Sequence, residues 1–346
     1  MTIFRGRVLD TPDDPFTGGA LRADDDAGLL VRGGAVLERG AFAQVRARHR
    51  GEEVVDLAEG VVLPGLVDTH VHAPQVRAIG GLAMPLLDWL EHRALPEEAR
   101  LADDAYAAAA AEEFVSGLVQ AGTTTALAFG AHFAPAVDVL FGHATRVGLR
   151  LTTGLVVSDR HLREDLLTTP ERAYDDVLRL ARRWHDVGHT RYAVIPRFSL
   201  SCGDGLLDSC AALLREVPGT WFTSHLNENV REIEAVTGLF GVGTYLDTYD
   251  RHGLVGPRSV LAHNVHPRDE ELQLLAARDS SIAHCPTSNC ALGSGLFPLR
   301  RHLDAGVRVA LGSDVGAGSG FSLFKEGLQA SFVQQLMEAL RVLAAK

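Results

Sequence analysis

From residue 64 onward the chain repeats one pattern eight times: a short apolar run, a polar loop, then a stretch with helical periodicity. The runs are GLVDTHVH ending at 72, TTTALAF at 123–129, RLTTGLVV at 150–157, RYAVIPRF at 191–198, WFTSH at 221–225, SVLAH at 259–263, SIAHC at 281–285 and VRVALGSD at 307–314. Strands that alternate with helices build a parallel sheet, and eight such units close on themselves. The expected fold is therefore α/β, a (β/α)8 TIM-type barrel over residues 64–346. Residues 1–63 look different. They alternate short β-like runs with turn signals, among them LLVRGGAVLERG, which reads as a hairpin about its Gly-Gly pair, followed by EVVDL and GVVLPGL. They are expected to form the N-terminal part of a small β domain.

The helical stretches carry start and stop signals. Asp103 is placed to cap a helix through DDAYAAAAAEEFVSGLVQ, ended by Gly122. Thr169-Pro170 opens PERAYDDVLRLARRWHDVG, with Gly188 as terminator. In that helix Tyr174, Val177, Leu178, Ala181 and Trp184 share one face and are expected to be packing residues. No repeat of fixed length and no low-complexity tract occurs.

The 346 residues are 46% hydrophobic and 22% charged, enough apolar material for a large core. Net charge is −11 and no basic block stands out, which argues against a nucleic-acid partner. The four cysteines, Cys202, Cys210, Cys285 and Cys290, are too few and too scattered for a disulfide framework and are expected to be reduced thiols. CPTSNC at 285–290 is not a CxxC, so a cysteine zinc site is not expected there. MTIFRGRVLD lacks the apolar core of a signal peptide. No run approaches the roughly 18 apolar residues of a membrane span. A cytoplasmic location is expected, without membrane or nucleic-acid association, and a homodimer is the expected assembly.

In a barrel of this kind chemistry sits at the C-terminal ends of the strands. The first run ends in His70 and His72, which point from one face because side chains two apart on a strand do so. Alone, the pair reads equally as two hydrogen-bonded core histidines. The fourth run ends at Arg197 and Phe198, and the fifth at His225, with Glu228 three residues on. The sixth ends at His263, the seventh at His284 and the eighth at Asp314. His70, His72, His225 and Asp314 together make a nitrogen/oxygen donor set suited to one Zn2+, with Fe2+ as the alternative.

The stretches PGLVDTHVHAPQ, PRFSLSC, SHLNEN, LAHN, SIAHCPTSN and LGSDVGAG resemble the amidohydrolase superfamily, and within it the guanine deaminase branch. HxH with a distant Asp marks only the superfamily; HAPQ, PRFSLSC and SHLNEN are more specific to that branch. The likeness runs from residue 64 to about 320. It implies His70, His72, His225 and Asp314 on one zinc, Glu228 and His263 beside it, and Gln75, Arg197 and Phe198 on the purine. Binuclear members of the superfamily bridge two metals with a carboxylated lysine at the end of strand 4. Here the only lysines are Lys325 and Lys346, so a single metal is expected.

The implied reaction is hydrolytic deamination of guanine by water, giving xanthine and ammonia. Asp314 would act as ligand and proton acceptor. Glu228 would carry a proton to the ring nitrogen beside C2 and then to the leaving amine, and it also belongs to the substrate-binding set. His263 would orient the water. Arg197 has a planar donor fork for the carbonyl edge, Phe198 a stacking face and Gln75 a donor and an acceptor. Trp89, in LLDWL, is a candidate wall or lid; GAGSG at 316–320 is expected to be a mobile turn; His132 and His284 have no assigned role. Two alternatives stay open: a sister enzyme acting on another amino-purine or amino-heterocycle such as 8-oxoguanine, and an inactive or assembly-only barrel. The HxE and PCxxC of the smaller zinc cytidine deaminases are absent. Family members usually run on past the point where this chain stops. The expectation is thus a chain truncated at its C-terminus, with an intact barrel and an incomplete small β domain. Its final helix should carry an apolar stripe of Phe324, Leu328, Phe332, Leu336 and Leu340.

Overall fold

Gly33 and Gly34 both adopt positive φ and close the hairpin between β2 (Arg22–Arg32) and β3 (Ala35–Ala41), as a two-residue turn matched to strand twist requires. These strands join β1 (Thr2–Asp10) and β4 (Glu53–Val62) in a four-stranded sheet of order β3-β2-β1-β4. The helix Phe42–Arg48 lays Val45 against Ile3 and Leu30 to make this sheet's small core. The runs EVVDL and GVVLPGL turn out to be one strand with a bulge: β1 pairs Arg5 with Asp56 and then Arg7 with Val61. β4 is an edge strand, and its Leu57 and Val61 are exposed.

The computed structural model describes residues 1–344, arranged in two compact units, Met1–Gly65 and Leu66–Lys346; Lys346 itself lies outside the described residues. The second unit is a nearly closed (β/α)8 barrel of parallel strands. They are β5 (Leu66–His72), β6 (Thr123–Phe129), β7 (Arg150–Thr153), β8 (Val156–Val157), β9 (Thr190–Pro196), β10 (Trp221–Leu226), β11 (Ser259–His263), β12 (Ser281–His284) and β13 (Arg308–Leu311). Each pairs with the next in chain order, apart from β7 and β8, which both pair with β9. The third predicted run is split in two because Gly154 lies against the β9 backbone, where a Cβ would fall 2.0 Å from the carbonyl oxygen of Ala193. No ladder joins β13 to β5. Thr69 Oγ1 donates to the carbonyl of Leu311 at 2.8 Å, and the Asp314 amide donates to the carbonyl of His70 at 2.8 Å.

Side chains alternate as strands demand. Ala193 and Ile195 of β9 join Phe129, Val156, Ala262 and Ala283 in one buried cluster. Tyr192 and Val194, on the opposite face, pack with Phe141, Val177 and Phe222 under the helices. Asp103 caps the helix Asp104–Gln120 by accepting from the Tyr106 amide, and Thr169 caps Pro170–Trp184 by accepting from the Arg172 amide. The second of these ends four residues before Gly188, because His185 turns extended and its Nδ1 takes the Tyr192 amide at 3.1 Å. The predicted face holds: Val177 and Ala181 are buried, with Tyr174, Leu178 and Trp184 packed around them. All four cysteines are unpaired. Among the described residues no helix is long and apolar enough to cross a membrane.

One expectation changes and another gains a direction. GAGSG is not a loose turn, since Val315 and Ala317 are buried and the strand end folds back on itself with the Gly318 amide on the Asp314 carbonyl. The stripe on the last helix, Leu323–Ala344, faces solvent: Phe324, Leu328, Phe332, Leu336 and Leu340 are all more than half exposed. The helix instead turns Glu326 and Val333 inward, and Glu326 accepts from the Thr287 amide at 2.9 Å and from Thr287 Oγ1 at 2.7 Å.

Leu328→Glu with Leu336→Glu should therefore cost less than about 1 kcal/mol in urea unfolding, whereas Val333→Asp should cost about 3 kcal/mol or more. The opposite ranking would place the stripe in the core. Burial pushes the Glu326 carboxyl up to about 7, against an unfolded value near about 4.3. The folded chain then holds this proton where the unfolded chain releases it, so the contribution to stability is full below the unfolded value and is lost as pH rises towards the folded one. Glu326→Gln should accordingly gain melting temperature relative to the parent on going from pH 5 to pH 8; a constant difference would contradict this.

Candidate active site

The strand register brings the predicted histidines to one level. His72 lies beside Phe129 of β6, and Leu226, next to His225, lies beside His263 of β11. The result is a cluster of ring nitrogens with little between them. His70 Nε2 is 3.2 Å from His72 Nε2, and His72 Nε2 is 3.3 Å from His225 Nε2. Asp314 Oδ1 stands 3.3 Å from Nε2 of both His70 and His72. Ligands about 2.0–2.1 Å from one zinc are separated by about 3.3–3.4 Å, so each of these four gaps has the length expected of two donors sharing one ion.

Electrostatics agree with that use. Burial holds the imidazoles of His70 and His225 below their ordinary value and takes His72 down to about 3, leaving each ring neutral, as a ligand must be. Burial works against the charge on Asp314, yet His70, His263 and His72 hold its carboxyl well below the usual range. His225 donates from Nδ1 to the carbonyl of Arg197 at 2.6 Å, which directs its Nε2 lone pair into the cluster. Cys285 also approaches His70, His263 and Asp314. Burial raises its thiol well above the ordinary value, so it stays protonated and is a poor donor. Asp68, two residues before His70 and on the same strand face, accepts from the amides of His70 and Ser313 and so ties β5 to the Asp314 loop. The period-two pattern of DTHVH carried this signal, and it was not read.

A pocket opens beside the cluster, lined by His72, Gln75, Arg197, Phe198, His225, Glu228, His263 and Asp314. Its apolar wall is Leu86, Trp89, Leu90, Leu292 and Ala317. Trp89 is thus a buried wall residue. Burial raises the Glu228 carboxyl, and Ser294 Oγ donates to its Oε1 at 3.2 Å. His263 donates from Nδ1 to Asn289 Oδ1 at 2.9 Å, leaving Nε2 3.6 Å from Glu228 Oε2 and 3.9 Å from Asp314 Oδ2. Burial disfavours charge on His263, but Glu228 and Asp314 raise its pKa above the ordinary value. His263 and Asp314 both sit at positive φ, 71° and 49°, a conformation uncommon outside glycine and found where a side chain must be aimed.

Sequence reasoning missed Glu98. It lies in the short helix Leu95–Ala99 between β5 and β6, far from any strand end, and LPEEA gives no signal. Its buried carboxylate accepts from Arg197 Nη1 at 2.8 and 2.6 Å and from Gln75 Nε2 at 2.7 Å. His132, unassigned from sequence, brings its Nε2 to 3.2 Å from Glu98 Oε2. His284 is not part of the pocket and stacks on Phe297 at 4.1 Å.

Residues 61–345 match the Amidohydrolase family. A Deinococcus radiodurans protein named probable guanine deaminase is 60% identical over 344 residues, 97% of this chain and 78% of that one. Escherichia coli guanine deaminase is 37% identical over 97% of this chain and 75% of its own. Its solved structure superposes with a TM-score of 0.94 at 36% identity, covering 98% of this chain and 80% of that chain. A guanine deaminase structure from C. acetobutylicum with bound guanine in the active site gives 0.88 at 29% identity, covering 94% and 77%.

If the four clustered groups hold one ion, His225→Ala and Asp314→Ala should each purify with well under one equivalent of metal by plasma mass spectrometry, while far-UV circular dichroism keeps the barrel signal. Stoichiometric metal in both variants would remove these residues from the ligand set.

Proposed function

This chain belongs to the amidohydrolase family, and on that footing we propose that it is a metal-dependent hydrolase converting guanine and water to xanthine and ammonia. The observation that carries the reading is the pocket itself. Its lining brings together a carboxylate whose pKa is raised, Glu228, three of the four proposed metal donors, His72, His225 and Asp314, and a polar pair, Arg197 and Gln75. The likeness to guanine deaminases over 97% of the chain supports the substrate.

The proposed ligands are His70, His72, His225 and Asp314, and a set of three imidazoles and one carboxylate suits zinc, with iron the alternative. When bound, the ion acts as a Lewis acid that brings the pKa of a water towards about 7. The remaining work falls to side chains. Asp314 Oδ2, the oxygen turned to His263, takes the proton of the attacking water, and His263 Nε2 orients that water. Glu228 delivers a proton to N3 of guanine as the carbon–oxygen bond forms at C2. Now ionised, Glu228 takes the remaining proton of the new hydroxyl and hands it to the amine as the carbon–nitrogen bond breaks, and the first water proton, held by Asp314, returns to restore the Glu228 acid, so guanine and water leave as xanthine and ammonia. The raised pKa of Glu228 suits both halves of that task. Arg197 and Gln75 hold the polar edge, Phe198 and Trp89 wall the ring, and burial excludes bulk water. The proposal extends to a cytoplasmic homodimer, supported by four unpaired thiols and by the apolar stripe of the last helix.

The test is direct: guanine loss with equimolar xanthine and ammonia. Glu228→Gln should lower kcat by about a thousandfold or more while retaining metal, because the amide fills the same space and moves no proton. Near-normal turnover by that variant would assign the proton transfer elsewhere, and no xanthine from the metal-loaded parent would overturn the reading as a whole.

A further inference from the structure

We propose that Glu98 is a positioning residue that makes this pocket read a 6-oxo purine edge, by fixing which end of the Gln75 amide is offered to the ligand. The inference rests on the guanine reading above. An ionised carboxylate only accepts hydrogen bonds. Glu98 is buried, and its charge is matched by Arg197 Nη1 at 2.6 Å. The Gln75 group 2.7 Å from Glu98 Oε1 must then be the NH2 end.

The carbonyl end is left over. Gln75 Oε1 is buried and has no protein partner. It rests on Gly316, where a Cβ would lie 2.2 Å away, so a side chain at 316 would push the amide out of place. A buried acceptor without a partner, in a residue that lines a pocket, is an acceptor kept for a ligand donor. Beside it, the guanidinium nitrogens of Arg197 other than Nη1 have no protein acceptor among the described residues. The pocket thus presents a donor next to an acceptor. Guanine offers the complement along one edge: O6 accepts and N1–H donates. In 2,6-diaminopurine the order is reversed, since the 6-amino group donates and N1 accepts. That ligand would face Arg197 donor to donor and Gln75 acceptor to acceptor, and unpaired buried polar groups are the strongest basis for discrimination.

Glu98→Gln releases the constraint. Its single amide oxygen can serve Arg197 while its NH2 meets Gln75, and Gln75 can then turn its own NH2 to the ligand. The experiment measures kcat/KM for guanine and the inhibition constant of 2,6-diaminopurine on metal-loaded protein. The parent should prefer guanine by about a hundredfold or more, and Glu98→Gln should cut that preference at least about tenfold, with the change in KM and inhibition constant rather than in kcat. Gln75→Met should lose the same preference, and adding Glu98→Gln to it should change the preference little further. An unchanged preference in Glu98→Gln, or losses that simply add in the double variant, overturns the proposal. Should Glu98→Gln not fold, Gln75→Met alone decides, because a retained preference there removes the amide from specificity. A parent that makes no xanthine would instead overturn the guanine reading on which this one stands.

Discussion

Four electron-pair donors pointing at one another across little more than 3 Å repel unless something positive stands between them. His70, His72, His225 and Asp314 approach that condition, with 3.2–3.3 Å between His70 and His72, between His72 and His225, and between Asp314 and each of His70 and His72. The fold provides the force that holds them there. Parallel strands fix which residues share a level, and the β5–β13 seam is closed by bonds beside the ligands themselves: the Asp314 amide on the His70 carbonyl and Asp68 on Ser313. The cost of crowding the donors is met by barrel packing in advance, so a cation arriving there finds its shell already assembled.

The residues that gather at the barrel mouth, His70, His72, His225, Glu228, His263 and Asp314, were legible because strand ends announce themselves. An apolar run that stops at His, Asp or His-x-His marks a position at the barrel mouth, and the alternation of side chains says which residues look inward. Glu98 was not legible for the complementary reason. It reaches the pocket from a helix inserted between two strands, and nothing in LPEEA separates Glu98, which is buried, from Glu97 beside it. The stripe of the final helix was legible, but its direction was not. Periodicity shows that a helix has an apolar face but not which way the face turns, and here Glu326 and Val333 decided that. Gly154, read as part of a continuous run, broke that run because close approach of two backbones leaves no trace in hydropathy.

A buried ion pair is weak evidence for stability, since removing both charges from water offsets much of their attraction. Glu98 and Arg197 make more sense as a source of orientation. Each partner restricts the other, and both restrict Gln75, so three flexible polar side chains arrive at the pocket wall with one arrangement among them.

Arg197 has two attachments: its carbonyl takes the Nδ1 proton of His225, and its guanidinium lines the pocket. One residue therefore steadies a candidate metal ligand through its backbone and reaches the pocket through its side chain. The consequence is evolutionary. A lineage drifting towards a new substrate can replace the side chain at 197 only while the backbone stays put and Glu98 keeps a partner, because a shift in that peptide would disturb His225 at the same time. Leu86 and Trp89, on the short helix Leu86–Trp89, and Leu292 line the same pocket without either tie.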